Sequence, residues 1–214
     1  FSGGRRNARI QADDDAGSLS FEQTSFTAEV WVKTAPVTQS VALLERARAS
    51  VGDLEAYRIV LDASGALRGY ISGTVNGVAS KAEAIIDQTA FDIDDDQWHL
   101  VAMVVDREAK VLRLYVDGVE RKSVGIADGF RLTVRADHRL RAGFNGTATI
   151  IDELRIVNQA RTVEQIRQTW FGATTTGSLA PQRSSTSIVA NQSKSSSPPP
   201  KATGKNSRAG GGRR

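Results

Sequence analysis

The 214-residue chain has no cysteine, one methionine and two histidines, and before residue 172 it has a single proline, Pro36. Without thiols it forms no disulfide, no thiolate nucleophile and no cysteine-based zinc site. Compartment stays open, because a domain of this size needs no covalent staple. The longest apolar run is Leu100 to Val105, far short of the roughly 20 residues that span a bilayer, so this portion is expected to be soluble. A chain whose first residue is Phe1 is expected to follow a segment removed or omitted upstream, where a signal peptide or anchor would lie. The scarcity of histidine bears on catalysis. A Ser-His-Asp relay would have to use His99, which alternates with Val101 and Met103, or His138, which sits among basic residues. No G-x-S-x-G elbow accompanies either.

Charge is unevenly spread. Residues 172–214 carry seven Lys or Arg and no acid, leaving 21 basic against 24 acidic residues in the preceding body, so a net charge of +4 is a body of −3 carrying a tail of +7. The tail also holds four of the five prolines, Pro181 and Pro198 to Pro200, among Ser, Thr and Gly. Such a segment offers too little apolar surface to offset its ordering entropy and is expected to be a linker or extended arm. Its candidate partner-binding cations are Arg183, Lys194, Lys201, Lys205 and Arg208. No Phe, Tyr or Trp follows Phe171 to stack on bases, so an acidic protein or membrane surface, or no partner at all, fits better than nucleic acid. The chain therefore divides into one domain over 1–171 and a tail over 172–214.

What the body has in abundance is period-two alternation. Phe26, Ala28, Val30 and Val32 point one way while Thr27, Glu29, Trp31 and Lys33 point the other, the pattern of a half-buried strand. Tyr57, Ile59 and Leu61 repeat it, Ala63 to Ala66 offer a turn, and Leu67, Gly69 and Ile71 continue it. Trp98 to Val105 is apolar on both faces, as suits a central strand covered on each side. Asp117-Gly118 supplies the positive φ angles of a tight hairpin into Val119. One helix is predicted over Thr162 to Phe171: Thr162 and Gln165 form a capping box, and Val163, Ile166 and Trp170 share a face that should seal one end of a sandwich.

The order Trp98-His99-Leu100-Val101, then Val105-Asp106, then Leu112-Arg113-Leu114-Tyr115-Val116-Asp117-Gly118 resembles the laminin-G-like domain. Upstream, Ser25-Phe26-Thr27-Ala28-Glu29-Val30-Trp31-Val32 is similar to that family's second strand. Phe1-Ser2-Gly3-Gly4 is similar to its first. Downstream, Gly143-Phe144-Asn145-Gly146, Ile151-Asp152-Glu153-Leu154-Arg155-Ile156 and the run to Ile166 resemble its closing strand and final helical turn. The resemblance implies an all-β, two-sheet antiparallel jelly-roll sandwich of concanavalin A-like type, with one short C-terminal helix and an extended tail. It also implies a domain that binds rather than reacts.

Several groups are candidates for the site. The wider superfamily includes glycan hydrolases, which need two carboxylates about 5 to 5.5 Å apart for retention. Asp94 with Asp96, and Asp13 with Asp15, are the available pairs, but they fall in acidic loop-like clusters. The family resemblance implies one calcium ion at a loop rim, held by Asp152 with backbone oxygens near Gly3 and Gly4, or else by the loop of Asp92, Asp94, Asp95 and Asp96. The competing reading makes Asp152 and Glu153 structural acids holding Arg155 or loop amides. Trp31 is either a sugar-stacking platform or an interior residue against the second sheet. Arg131, Arg135, Arg139 and Arg141 form a basic run around a predicted loop, either solvated or docking an anionic glycan or partner. Together these readings predict a non-catalytic module outside the cytoplasm, extracellular, periplasmic or on the cell surface, that recognises a glycan or extracellular protein. The alternative is an accessory subunit of a larger complex, docking by the sandwich and basic tail, and a glycan hydrolase comes third.

Overall fold

The computed structural model describes residues 10–12, 19–47, 56–135, 137–144 and 149–174. In chain order the strands are β1 (Ile10–Ala12), β2 (Phe26–Thr34), β3 (Val41–Ala47), β4 (Tyr57–Leu61), β5 (Leu67–Val75) and β6 (Val78–Ile86). They continue with β7 (Trp98–Asp106), β8 (Val111–Val116), β9 (Val119–Gly125), β10 (Arg131–Leu132), β11 (Arg139–Phe144) and β12 (Thr149–Val157). A helix, α1 (Val163–Thr174), follows.

Alternation closes these strands into two antiparallel sheets. The larger runs β1-β11-β3-β4-β5-β6, with short β10 joining β5 beyond the end of β4. The smaller runs β12-β2-β7-β8-β9. Phe26, Ala28, Val30 and Val32 of β2 face inward with Val101, Met103 and Val105 of β7, and they meet Tyr57, Ile59, Leu61, Leu67 and Ile71 of the other sheet. Phe26 stacks on Phe21 at 4.7 Å between centroids and tilts against Tyr57 at 4.9 Å. Each such side chain gains about 1.5–3 kcal/mol on leaving water, and this two-sided burial is what holds a jelly-roll sandwich together. The hairpin at Asp117-Gly118 forms as its residues dictate, with φ of +55° and +74°. β9, an edge of the smaller sheet, is exposed along most of its length, including Glu120, Arg121 and Lys122.

The capping box at the start of α1 is made. Thr162 N–H donates to Gln165 Oε1 at 2.9 Å, and Gln165 N–H donates to Thr162 Oγ1 at 3.3 Å. The helix face is the predicted one, but its place is different: α1 does not seal an end of the sandwich. Ile166, Val163 and Trp170 lie across the outer face of the smaller sheet, on Trp31, Leu100, Ala102, Val104 and Tyr115. The reason lies in β7, whose two faces are both apolar and both need cover. The outward side of β2 is correspondingly buried rather than solvated, with Thr27 and Glu29 almost wholly enclosed.

Candidate functional site

The helix-covered face is closed to ligands. Trp31 is 3% exposed and stacked on Trp170 at 5.2 Å, so its ring has no free face for a sugar and packs beneath the helix rather than against the second sheet. Beside it Glu29 forms an ion pair with Arg161 and lies 3.7 Å from Arg155. Arg161 also donates to the Gln165 carbonyl at 2.6 Å, and its backbone N–H donates to Thr27 Oγ1 at 3.0 Å. Burial pushes the Glu29 carboxyl up despite the opposing pull of Arg161. These bonds tie α1 to β2.

The end of the sandwich where β7 begins is saturated. His99 is buried with Nδ1 2.8 Å from Asp117 Oδ2 and Nε2 3.1 Å from Asp95 Oδ1. Asp117 Oδ1 accepts the Leu100 N–H at 3.0 Å, and Arg167 Nε donates to the Gly118 carbonyl at 3.2 Å. Burial opposes the imidazolium, but the two carboxylates outweigh it and raise the His99 pKa. Both ring nitrogens of His99 are thus engaged inside the domain. The neighbouring acids are also engaged. Asp94 is 2% exposed and accepts the Val37 N–H at 2.9 Å and the Gln88 amide at 3.0 Å, while Asp96 pairs with Lys33 at 3.4 Å. Asp92 accepts the Asp94 N–H at 3.1 Å.

The opposite end, where β7 stops, is open. The β5–β6 turn at Asn76 and Gly77, the β7–β8 turn from Arg107 to Lys110, the β9–β10 loop from Ile126 to Phe130 and Arg131 at the start of β10 enclose a cleft of about 550 Å³, with Gln23 at its edge. β10 reaches this position because Gly73 has no side chain: a Cβ there would sit 1.9 Å from the Arg131 carbonyl oxygen. Three cations line the cleft, and they are not equivalent. Lys110 pairs with exposed Asp128 at 2.9 Å, and Arg131 lies 3.9 Å from Glu22. Among the described residues the Arg107 guanidinium donates only to the carbonyls of Phe130 and Glu22, each at 3.3 Å, under the Phe130 ring at 5.3 Å, while its backbone N–H donates to Ser25 Oγ at 3.0 Å. Its Nε is buried with no acceptor among the described residues. Burial pulls its guanidinium below the ordinary arginine value.

Of the predicted basic run, only Arg131 lines the cleft. Arg135 is exposed in the segment after β10. Arg139 and Arg141 are not loop residues but belong to β11, which β3 and β4 separate from β5. There Arg141 is 8% exposed and pairs with Glu45 at 2.9 Å; Glu45 also holds Arg58 at 3.0 Å, making a buried ladder on the outer face of the larger sheet. Arg107 was missed by the sequence reading. Its context, Val105-Asp106-Arg107-Glu108-Ala109-Lys110, is that of an ordinary polar turn, and the burial that marks it comes from Phe130, 23 residues away.

For calcium, Asp152 sits in β12 opposite Trp31, at a bulge where Glu153 takes φ +44°. Its Oδ1 accepts the Glu153 N–H of the same strand at 2.8 Å. Arg155 turns to Glu29 and, at 3.5 Å, to Thr169. Gly3 and Gly4 lie outside the described residues, as do Asp13, Asp15 and the tail cations. Among the described residues no cluster of three or more His, Asp or Glu side chains is placed to hold a metal ion.

The laminin-G-like profile of the concanavalin A-like lectin/glucanases superfamily matches residues 3–167. No curated protein sequence matches the chain. Solved structures with this fold include the binding domain of botulinum neurotoxin serotype G, 12% identical with a TM-score of 0.58 over 81% of this chain and 42% of that one. The botulinum neurotoxin DC binding domain is similar both in its complex with SialylT (11% identity, TM-score 0.56) and in that with rat synaptotagmin II (11%, 0.57); each covers 77% of this chain and 39% of that one. This chain therefore spans about two fifths of those domains, and at such identities the likeness is one of fold.

Proposed function

Because the chain belongs to the laminin-G-like family of the concanavalin A-like lectin/glucanases superfamily, we propose that it is a non-catalytic module that binds a glycan or an extracellular protein in the turn-end cleft. The observation that carries this reading is the cleft itself: 550 Å³ of open space walled by three turns of a rigid sandwich and lined by polar and cationic groups. Structures of similar fold have been solved with SialylT and with synaptotagmin, which agrees with either ligand class. A hydrolase is disfavoured because Asp94 and Asp96 lie at the other end and already have partners. Extracellular, periplasmic or cell-surface placement fits such a module, and no helix among the described residues is long and apolar enough to cross a membrane.

Glycan-array and pull-down binding test the proposal. Ala127 is exposed and lines the cleft, so Ala127→Trp should fill it and abolish binding at an unchanged melting temperature. Binding that survives places the site elsewhere, and hydrolysis of a bound glycan overturns the non-catalytic reading. The accessory-subunit reading draws on the tail, whose seven cations, including Arg183, Lys194, Lys201, Lys205 and Arg208, have no acid among them. On that reading, deleting residues 175–214, after the end of α1, leaves melting unchanged and weakens a salt-sensitive association with an acidic partner. Equal salt resistance of the truncated protein sinks it.

A further inference from the structure

We infer that the turn-end cleft accepts the acidic group of a saccharide, a carboxylate or a sulfate ester, with Arg107 as its anchor; the inference rests on the cleft being the module's binding site. The charge ledger of the cleft points this way. Lys110 is matched by Asp128 and Arg131 loosely by Glu22, but no carboxylate among the described residues pairs with Arg107. Among the described residues its guanidinium holds two neutral carbonyls at 3.3 Å and lies against the Phe130 ring. A cation under a phenyl ring, with a buried and unmatched Nε, has lost hydration without gaining a counter-charge. An incoming oxyanion restores that balance, and a guanidinium presents the forked donors that carboxylate and sulfate oxygens take in pairs.

The rest of the lining favours a sugar over an acidic peptide. Gln23 and Asn76 bring side-chain amides, and Gly77 and Gly129 expose turn backbone, so donors and acceptors for hydroxyl groups ring the opening. The apolar members, Ile126 and Phe130, are each only 6% exposed. Among the described residues that line the cleft none is an exposed aromatic anchor of the kind that dominates protein interfaces. A volume of 550 Å³ falls within the range of sites for small ligands.

Titration calorimetry of the full chain with oligogalacturonate, a dextran sulfate oligomer, neutral dextran of equal length and an octaglutamate peptide tests this. At least one acidic saccharide should bind, should weaken as sodium chloride is raised, and should exceed dextran by about tenfold; which of the two binds distinguishes carboxylate from sulfate. Arg107→Gln should lose about that tenfold. Asp128→Asn, at an exposed position, should tighten binding a few-fold by freeing Lys110; unchanged or weaker binding means that the acidic group does not sit among the cleft's cations and overturns the inference, even if Arg107→Gln fails to fold. Equal binding of dextran and acidic probes, or octaglutamate binding as tightly as the saccharides, overturns the inference. So does the absence of binding by every acidic saccharide at millimolar concentration. If binding is charge-blind but still lost in Ala127→Trp, the inference falls while the cleft stands as the binding site. If Ala127→Trp binds normally, the cleft reading itself falls.

Discussion

The two ends of strand β7 carry similar chemistry put to opposite use. At its start, the ring nitrogens of His99, both carboxylate oxygens of Asp117 and of Asp94, and Oδ1 of Asp95 have partners inside the domain. At its finish, a turn of similar polarity leaves Arg107 on two carbonyls beside an open cleft. Polar groups whose partners are internal hold a fold in place; a charge without one is available to something outside. The helix-covered face is tied through Glu29 and Arg161 beneath α1, although Glu29 Oε2 and Trp31 Nε1 are buried there without a hydrogen-bond partner among the described residues.

That contrast can be broken by stability measurements. The largest effect is expected at the closed side: Glu29→Ala leaves Arg161 half-buried without its carboxylate and should cost about 3–5 kcal/mol in urea unfolding. A loss below 1 kcal/mol would mean that the buried pair contributes no more than a surface one. The second effect is one of pH. The folded-state pKa of His99 lies above its ordinary 6.5, so its contribution to stability is fully present below the unfolded pKa and is lost as pH rises through the folded one. Melting temperature should therefore fall from about pH 6.5 upward for this group, and His99→Gln should remove that component; an unchanged pH profile in the variant would show that the carboxylates do not clamp the ring. The smallest effect is expected at the open end. Arg107→Gln breaks two long hydrogen bonds and also removes an uncompensated charge, so it should change unfolding free energy by about 1 kcal/mol or less. A cost matching that of Glu29→Ala would make Arg107 a structural residue and erase the difference between the two ends.

Much of the architecture was legible because it is written in local periods. Alternation located β2, β4, β5 and β7, the Asp-Gly pair announced its hairpin, and Thr162 with Gln165 marked the start of α1. What alternation cannot report is what lies on the far side of a sheet. Thr27 and Glu29 read as the polar side of a half-buried strand, and Trp31 as a sugar platform or a residue against the second sheet, because their cover, Arg161 and Trp170, is more than a hundred residues away in sequence. The doubly apolar β7 was the available signal that both faces are covered. Bulges are equally silent: the irregularity between Ala42 and Leu44 shifts β3 so that Arg46 lies opposite Tyr57, and nothing in Val41 to Ala47 announces it. The candidate site was the least legible part. Spacing gathered Arg131, Arg135, Arg139 and Arg141 into one patch, but the chain distributes them over a cleft wall, a connecting segment and a strand three places away. Arg107 reveals itself only through the partners it lacks.

Strand β9 ends the smaller sheet with its outer row of backbone donors and acceptors unclaimed by any strand among the described residues, the arrangement by which β-proteins zip into one another. Along that row stand Glu120, Arg121 and Lys122, all exposed. A second molecule approaching in register would have to strip water from three charges before making its first hydrogen bond. The sequence Glu-Arg-Lys thus works as a guard rail, keeping crowded copies of the domain from fusing edge to edge.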